Sequence, residues 1–148
     1  MEDSLQSEGA SQDEAARSIA IRLGKLLEDH RGNDVVVMDM RVLNFWTDFF
    51  VIATATSNTH LRGLQGHIKD FAAENDLDIL RRSRRIEADA KQQFDEWCLL
   101  DLGDIVVHLM SEKTRSFFEL ERLWSAAPII HGTLVDGTLV PRHSSKSS

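Results

Sequence analysis

The sequence has few of the features that extracellular and membrane proteins need. Its one cysteine, Cys98, excludes an intrachain disulfide, and its place in an apolar run favours a buried thiol over a reactive one. No apolar segment is long enough to suggest a membrane span, and the N-terminus lacks a signal-peptide pattern. The acidic start of the chain also lacks the arginine-rich character of a transit peptide. We therefore expect a cytoplasmic protein in a reducing compartment.

Positive charge is also scarce. Lysine and arginine total 17 against 24 aspartates and glutamates, which gives a net charge of -7. A chain of this charge will not coat nucleic acid nonspecifically, because phosphate binding is driven by cationic side chains. Any contact with RNA must come from a local patch, and a basic protein surface is the more natural partner.

The motifs of common catalytic sites are missing as well. The six histidines show no His-x-x-x-His spacing and no cysteine cluster accompanies them, so a zinc site is not expected. No Gly-Ser pair is present to cradle a triphosphate. We predict no catalytic residue, no metal and no cofactor. The alternative is a nucleotide-binding or nucleotidyl-transfer enzyme that would hold magnesium with Asp39, Asp101 and Asp104.

The length suits one domain with a core, since 148 residues with 42% hydrophobic content do not comfortably make two. Residues 1–13 are polar and predict a flexible tail. Residues 14–126 predict the folded domain. Residues 127–148 predict a loosely ordered extension with a weak hairpin signal at Val135–Thr138.

The apolar pattern predicts the elements of the domain. Helices are expected where apolar residues recur at helical spacing, and strands where short apolar runs are bounded by polar residues. The predicted elements are a helix to about His30, strands at 35–38 and 49–53, a helix from Ser57 or Asn58 to about Asn75, and a strand at 77–80. This order predicts an α/β (α+β) fold with a mixed sheet of about five strands and flanking helices.

The segment 94–124 is the most informative stretch of the chain. Apolar runs at 97–100 and 105–110 flank a short turn with Asp101 and Asp104, which predicts a β-hairpin. A helix should follow from a Ser111 cap to about residue 126, with Phe117, Leu120 and Trp124 on one stripe. The segment holds no metal, phosphate or nucleophile motif, and so favours recognition over catalysis.

Several motifs resemble those of the ribosomal silencing factor family, also called iojap-like, over roughly residues 14–126. They are Asp34-Val-Val-Val-Met-Asp39, Thr47-Asp-Phe-Phe-Val-Ile-Ala-Thr54, Thr56-Ser-Asn-Thr-His60, Trp97-Cys-Leu-Leu-Asp-Leu-Gly-Asp-Ile-Val-Val-His108 and Phe118-Glu-Leu-Glu-Arg-Leu-Trp124. Short motifs in register over a whole domain are more specific than any one of them. One departure is Phe45-Trp46, where the family usually has smaller residues.

The resemblance implies a nucleotidyltransferase-like fold without that activity. It implies a translation repressor that binds the large ribosomal subunit through ribosomal protein number fourteen and blocks joining of the small subunit. Homodimers are common in the family, and organellar relatives act in large-subunit assembly, which makes an assembly factor the third interpretation. The implied contact residues for the ribosomal protein are Trp97, Asp101, Asp104, Phe118 and Glu121.

Two residue sets keep alternative interpretations at this stage. Trp97 is either a core aromatic at the start of a strand or a half-exposed anchor for the partner, and the resemblance favours the anchor. Four arginines form either a solvated face or a contact with ribosomal RNA. They are Arg81, Arg82, Arg84 and Arg85.

Overall fold

The computed structural model describes residues 2–43, 45–86, 96–119, 122, 124–132, 134–135 and 138–139. Its elements in chain order are α1 (Glu2–Asp29), β1 (Asn33–Asp39), β2 (Phe49–Ala55), α2 (Asn58–Glu74), β3 (Arg81–Ile86), β4 (Glu96–Asp101), β5 (Ile105–Ser111), α3 (Glu112–Phe118), β6 (Ile129–His131), β7 (Leu134–Val135) and β8 (Thr138–Leu139). Six strands form one sheet in the order β3-β4-β5-β2-β1-β6, and β7 pairs with β8. The predicted class, a mixed sheet with flanking helices, is confirmed, with one strand more than expected.

The centre of the sheet is built from the continuous apolar runs. Strand β2 pairs in parallel with β5, from Phe49 opposite Ile105 to Ala55 opposite Ser111, and antiparallel with β1. Every residue of β2 and β5 is buried. Strands covered on both faces need apolar side chains at successive positions, which is why these runs do not alternate with polar residues.

The two faces of the sheet carry separate apolar clusters. Helices α1 and α2 pack on one face, which we call the helix face, where Leu23, Leu27, Leu64 and Ile68 meet inward residues of β1, β2, β4 and β5. The opposite face, which we call the second face, has no long helix over it among the described residues. It is covered in the middle by Phe45 and Trp124, whose rings meet Phe50 edge-on at 5.2 Å and 5.0 Å.

Helix α2 begins as the sequence predicts. The Ser57 hydroxyl accepts the His60 N–H at 3.0 Å, which satisfies one of the free amides of the first turn. The backbone of α1 continues to Glu2, across residues for which the sequence predicts a flexible tail, and glutamate, glutamine and alanine favour that helical backbone. Flexibility of this segment stays a prediction. None of the described helices is both long and apolar enough to cross a membrane.

One strand lies later in the chain than predicted. Residues 77–80 are not a strand, and the arginine run that follows them forms β3, in register with β4 from Arg81 opposite Asp101 to Ile86 opposite Glu96. The expectation failed because β3 is the outermost strand of the sheet, where charged side chains remain in water and no apolar run is needed.

Two corrections concern the C-terminal part. Residues 127–132 belong to the domain, because β6 pairs with β1 and the Pro128 carbonyl accepts the Asp39 N–H at 2.9 Å. The predicted boundary at 126 is therefore too early. Helix α3 is shorter than predicted, since Glu119 adopts a left-handed conformation with φ of 46°. Phe117 is 80% exposed rather than part of an apolar stripe. The pairing of β7 with β8 confirms the weak hairpin signal.

Candidate protein-binding surface

The second face is incompletely covered at strand β4. Trp97 and Leu99 point to this face and are half-buried, while Val106 and Met110 on the neighbouring strand are fully buried. We call the half-buried side chains of Trp97 and Leu99 the β4 surface. The sequence prediction that Trp97 lies partly exposed at the start of a hairpin strand agrees with this position.

The Trp97 indole is held by a histidine of the next strand. Its Nε1–H donates to Nδ1 of His108 at 3.2 Å, and the two rings lie 5.9 Å apart. Burial lowers the pKa of His108 to about 3, so the imidazole is neutral at physiological pH and its Nδ1 is available as an acceptor. Phe50 packs edge-on against the imidazole at 4.6 Å. Trp97 is therefore the side-chain partner of His108 Nδ1.

The turn after β4 is short, and backbone hydrogen bonds fix its conformation. Gly103 has φ of 93°, a conformation that favours glycine, and the Leu102 N–H donates to the Ile105 carbonyl at 2.8 Å. Asp104 follows with an exposed side chain. Its carbonyl accepts the N–H groups of Asp48 and Phe49 at 3.1 Å and 3.0 Å. The carboxylate of Asp104 is therefore presented to solvent from a rigid backbone.

Asp101 has a different environment from the one predicted. It is 3% exposed, and both carboxylate oxygens have donors: Gly103 N–H at 2.8 Å and Arg81 Nε at 3.0 Å. A carboxylate this deeply buried, with both oxygens hydrogen-bonded inside the protein, is poorly accessible to a partner's lysine or arginine. The structure therefore makes Asp101 a support of the turn, and leaves Asp104 as the exposed carboxylate there.

The positions of Asp39 and Asp101 argue against the alternative interpretation, a nucleotidyl-transfer enzyme that holds magnesium. Asp39 is held by Arg41, whose Nε and Nη2 donate at 2.9 Å and 2.7 Å, and these hydrogen bonds lower the pKa of the Asp39 carboxyl. Asp39 ends β1 and Asp101 ends β4, three strands apart in the sheet, which corresponds to roughly 14 Å at the usual strand spacing. Carboxylates must approach within about 2 Å of a magnesium ion to share it. Within the described part of the chain no carboxylate, histidine and cysteine cluster could hold a metal.

Four other predicted contact residues fall wholly or partly outside what the structure describes. Glu121 and the side chain of Phe118 lie outside the described residues, as do the side chains of Arg84 and Arg85. Arg81 and Arg82 are exposed on β3. Sequence reasoning did not anticipate that the Arg81 guanidinium lies over the ring of Trp46, 5.1 Å from its centroid, although the unusual Phe45-Trp46 pair was a signal.

Comparisons with known proteins agree with the motifs. A family model described as ribosomal silencing factor during starvation matches residues 13–148. The ribosomal silencing factor of Bacillus subtilis is 35% identical over 104 residues, which cover 69% of this chain and 80% of that protein.

A mouse protein and a solved structure add to this. The mouse protein, named mitochondrial assembly of ribosomal large subunit protein 1, is 31% identical over 107 residues, which cover 70% of this chain and 43% of that protein. A crystal structure of a Chromobacterium violaceum protein gives a TM-score of 0.59 at 28% identity, covering 76% of this chain and 85% of that one. The fold and the sequence therefore point to the same group of proteins.

Proposed function

The chain belongs to the ribosomal silencing factor family, and on that premise we propose that it represses translation by docking on the large ribosomal subunit. Family membership gives it a ribosome-associated role. The docking site is ribosomal protein number fourteen of that subunit, and the bound protein prevents the small subunit from joining. It acts by occupying a surface, without catalysis, and as a homodimer when free.

The observation that carries the proposal is the β4 surface. A half-buried tryptophan whose indole is already hydrogen-bonded to His108 loses little conformational freedom when a partner covers it. Tryptophan is also among the residues that contribute most to binding when they become fully desolvated. The exposed carboxylate of Asp104 at the end of the same hairpin suits a basic ribosomal protein.

Co-sedimentation of the purified protein with separated ribosomal subunits tests the docking. We expect the protein to travel with the large subunit alone, and addition of small subunits afterwards should give fewer joined ribosomes. Equal binding to both subunits, or to neither, would contradict the proposal. Sedimentation equilibrium of the free protein tests the homodimer.

Truncation of the Trp97 side chain tests whether the β4 surface binds the large subunit. Trp97→Ala should weaken binding to the large subunit by roughly 30-fold or more, mainly through faster dissociation, as truncation of a central aromatic generally does. Trp97→Phe keeps most of the apolar area and should lose less. Both variants are compared by surface-immobilised kinetics, with circular dichroism to confirm that the fold is kept. Wild-type affinity of a folded Trp97→Ala protein would place the interface elsewhere.

Charge reversal tests the role of the turn. Asp104→Lys should slow association and flatten its dependence on salt, because exposed interfacial charges act mostly through electrostatic steering. Asp70→Lys is the matched control, since Asp70 is exposed on α2, which packs against the helix face. If the two reversals slow association equally, net charge rather than the turn is responsible.

A second candidate function follows from the name of the mouse relative, which concerns assembly of the mitochondrial large subunit. The same surface could hold an immature large subunit instead of a finished one. Depletion of the protein distinguishes the two functions. Accumulation of precursor large subunits supports the assembly role, whereas normal subunits with excess translation during starvation support repression.

A further inference from the structure

We propose that His108 is a positioning residue of the β4 surface, which fixes the orientation of the Trp97 indole for the partner at a cost in the stability of the fold. The inference deepens the proposed function and rests on it, because the partner is the same ribosomal protein. Trp97 remains the residue that makes the contact, and His108 acts through it.

An imidazole is an unusual side chain for the place that His108 occupies. It lies in the middle of β5, where the other second-face residues, Val106 and Met110, are apolar, and it is 3% exposed. Its neighbours across the sheet are Ile52 on β2 and Leu99 on β4. Buried polar groups are destabilising unless they are hydrogen-bonded. For stability alone, this position would suit an aliphatic side chain better than an imidazole.

Only one of the two imidazole nitrogens has a hydrogen-bond partner. Trp97 lies diagonally across from His108 in the sheet, and its indole N–H donates to Nδ1 at 3.2 Å. An indole can only donate, so the proton of the neutral imidazole lies on Nε2. Nε2 is buried, and among the residues that the structure describes no acceptor meets it. The hydrogen bond to Trp97 is therefore offset by an unsatisfied donor in the same ring.

This hydrogen bond acts on the side chain that the partner meets. Trp97 is only half-buried, and without an acceptor inside the protein its indole N–H would turn towards water. The hydrogen bond to Nδ1 selects the orientation in which the ring lies on the second face. A surface that already holds its binding conformation has a higher apparent affinity, because less binding energy goes into ordering it. The same residue therefore lowers stability and raises affinity.

Two substitutions at His108 separate positioning from simple support of the fold. His108→Leu removes both nitrogens and suits the apolar environment, so its urea midpoint should equal or exceed that of the wild type. His108→Gln keeps an acceptor for the indole N–H but leaves a buried amide, so its midpoint should fall.

The affinities of the two variants for isolated ribosomal protein number fourteen should follow the opposite order. His108→Leu should lose about fivefold, the factor for one neutral hydrogen bond, and His108→Gln should lose less. The loss should appear as slower association, since fewer free molecules hold the indole in the binding orientation. A residue that only supports the fold would give the same order of stability and affinity.

The indole N–H itself provides two further measurements. Trp97→Phe keeps an aromatic ring without the N–H, so adding His108→Leu to that variant should cost no further affinity. In the free wild-type protein, the Trp97 indole proton should exchange slowly with water by nuclear magnetic resonance. In His108→Leu the exchange should be faster, and Trp97→Phe identifies the resonance by its loss.

His60→Leu is the matched control for the loss of a hydrogen-bonded imidazole. His60 lies on α2, which packs on the helix face, where its Nδ1 accepts the Thr56 N–H at 3.0 Å. This variant should have a lower urea midpoint with unchanged affinity and unchanged indole exchange. Wild-type affinity of His108→Leu, affinities that follow the urea midpoints, or an equal loss in the Trp97→Phe background would overturn the proposal.

Failure of the proposed function gives a different result. If the wild-type protein binds neither the large subunit nor isolated ribosomal protein number fourteen, the proposed function fails. The indole exchange and the urea midpoints then decide, without a partner, whether His108 orients Trp97 at a cost in stability. If the wild-type protein binds and His108→Leu binds equally well, the positioning role fails alone.

Discussion

His108 connects the chemistry of one side chain to the stability of the fold. Burial holds its pKa at about 3, against an ordinary value of 6.5, so the folded protein does not bind this proton in the range where the unfolded chain does. At pH values between those two pKa values, protonation of His108 therefore favours the unfolded chain. The neutral imidazole is also the form whose Nδ1 can accept the Trp97 indole N–H.

The first prediction concerns the pH dependence of this group. As the pH falls from 6.5 towards 3, His108 should lower the free energy of unfolding by up to about 1.4 kcal/mol per pH unit, because the unfolded state binds one proton more. Urea titrations from pH 6.5 to 4.5 measure this slope. His108→Gln cannot titrate and should show a shallower slope, although it is less stable at pH 7. Parallel slopes for the two proteins would contradict the assignment.

Two contacts between side chains that lie far apart along the chain were not predictable from sequence. Trp97 meets His108, and Trp46 meets Arg81, across strands and loops that are distant along the chain. No local sequence pattern encodes these side-chain contacts, because they depend on strand register and on the path of the loop before β2. The residues alone left Trp97 open between a core aromatic and a half-exposed anchor, and the family resemblance favoured the half-exposed position in which the structure has it. It could not identify Asp101 as already paired, since its partner arginine lies on a strand that carries no apolar signal.

At the scale of elements, the successes and failures have one physical origin. Strands β1, β2, β4 and β5 and helix α2 were predicted because burial imposes apolar periodicity on them. Strands β3 and β6 lie at the two edges of the sheet, where water or a single neighbour relaxes that demand. Helix α3 ends early because the chain turns at Glu119, which has no glycine signal.

The second prediction compares two glycines in different elements. Gly103→Ala should lower the free energy of unfolding by about 1 kcal/mol, because φ of 93° strains any side chain there. Gly66→Ala should raise it by about 0.5–1 kcal/mol, since Gly66 lies inside α2 and an added methyl group meets no atom within 4 Å. Thermal unfolding of both variants measures the opposite signs. If both variants change the free energy of unfolding in the same direction, the backbone conformation assigned to one of the two glycines is wrong.

At the scale of the whole molecule, residues 127–132 pack on the domain that the sequence predicts to end at 126. Strand β6 covers the edge of β1, Ala127 is buried, and Ile129 and Ile130 pack against the two faces. Gly132 lies so close to Val35 and Val36 that no side chain would fit. These contacts tie residues 127–132 to the first strand.

The third prediction follows from that boundary. A chain that ends at Ala126 should lose about 2–4 kcal/mol of unfolding free energy, from the apolar area of β6 and the uncovered edge of β1. A chain that ends at residue 133 keeps β6 and is the control. Urea unfolding of the two chains measures the difference. Equal urea midpoints for the two chains would mean that the domain ends at residue 126, as the sequence predicts.

The parallel pairing of β2 with β5 has a consequence for synthesis of the protein. Phe49 has no β5 partner until Ile105 has left the ribosome, and β1 keeps a bare edge until His131 follows. Contacts between positions so far apart make a high contact order, which slows folding and leaves the first two strands unprotected in the nascent chain. The polypeptide must therefore be translated past His131 before its sheet can close.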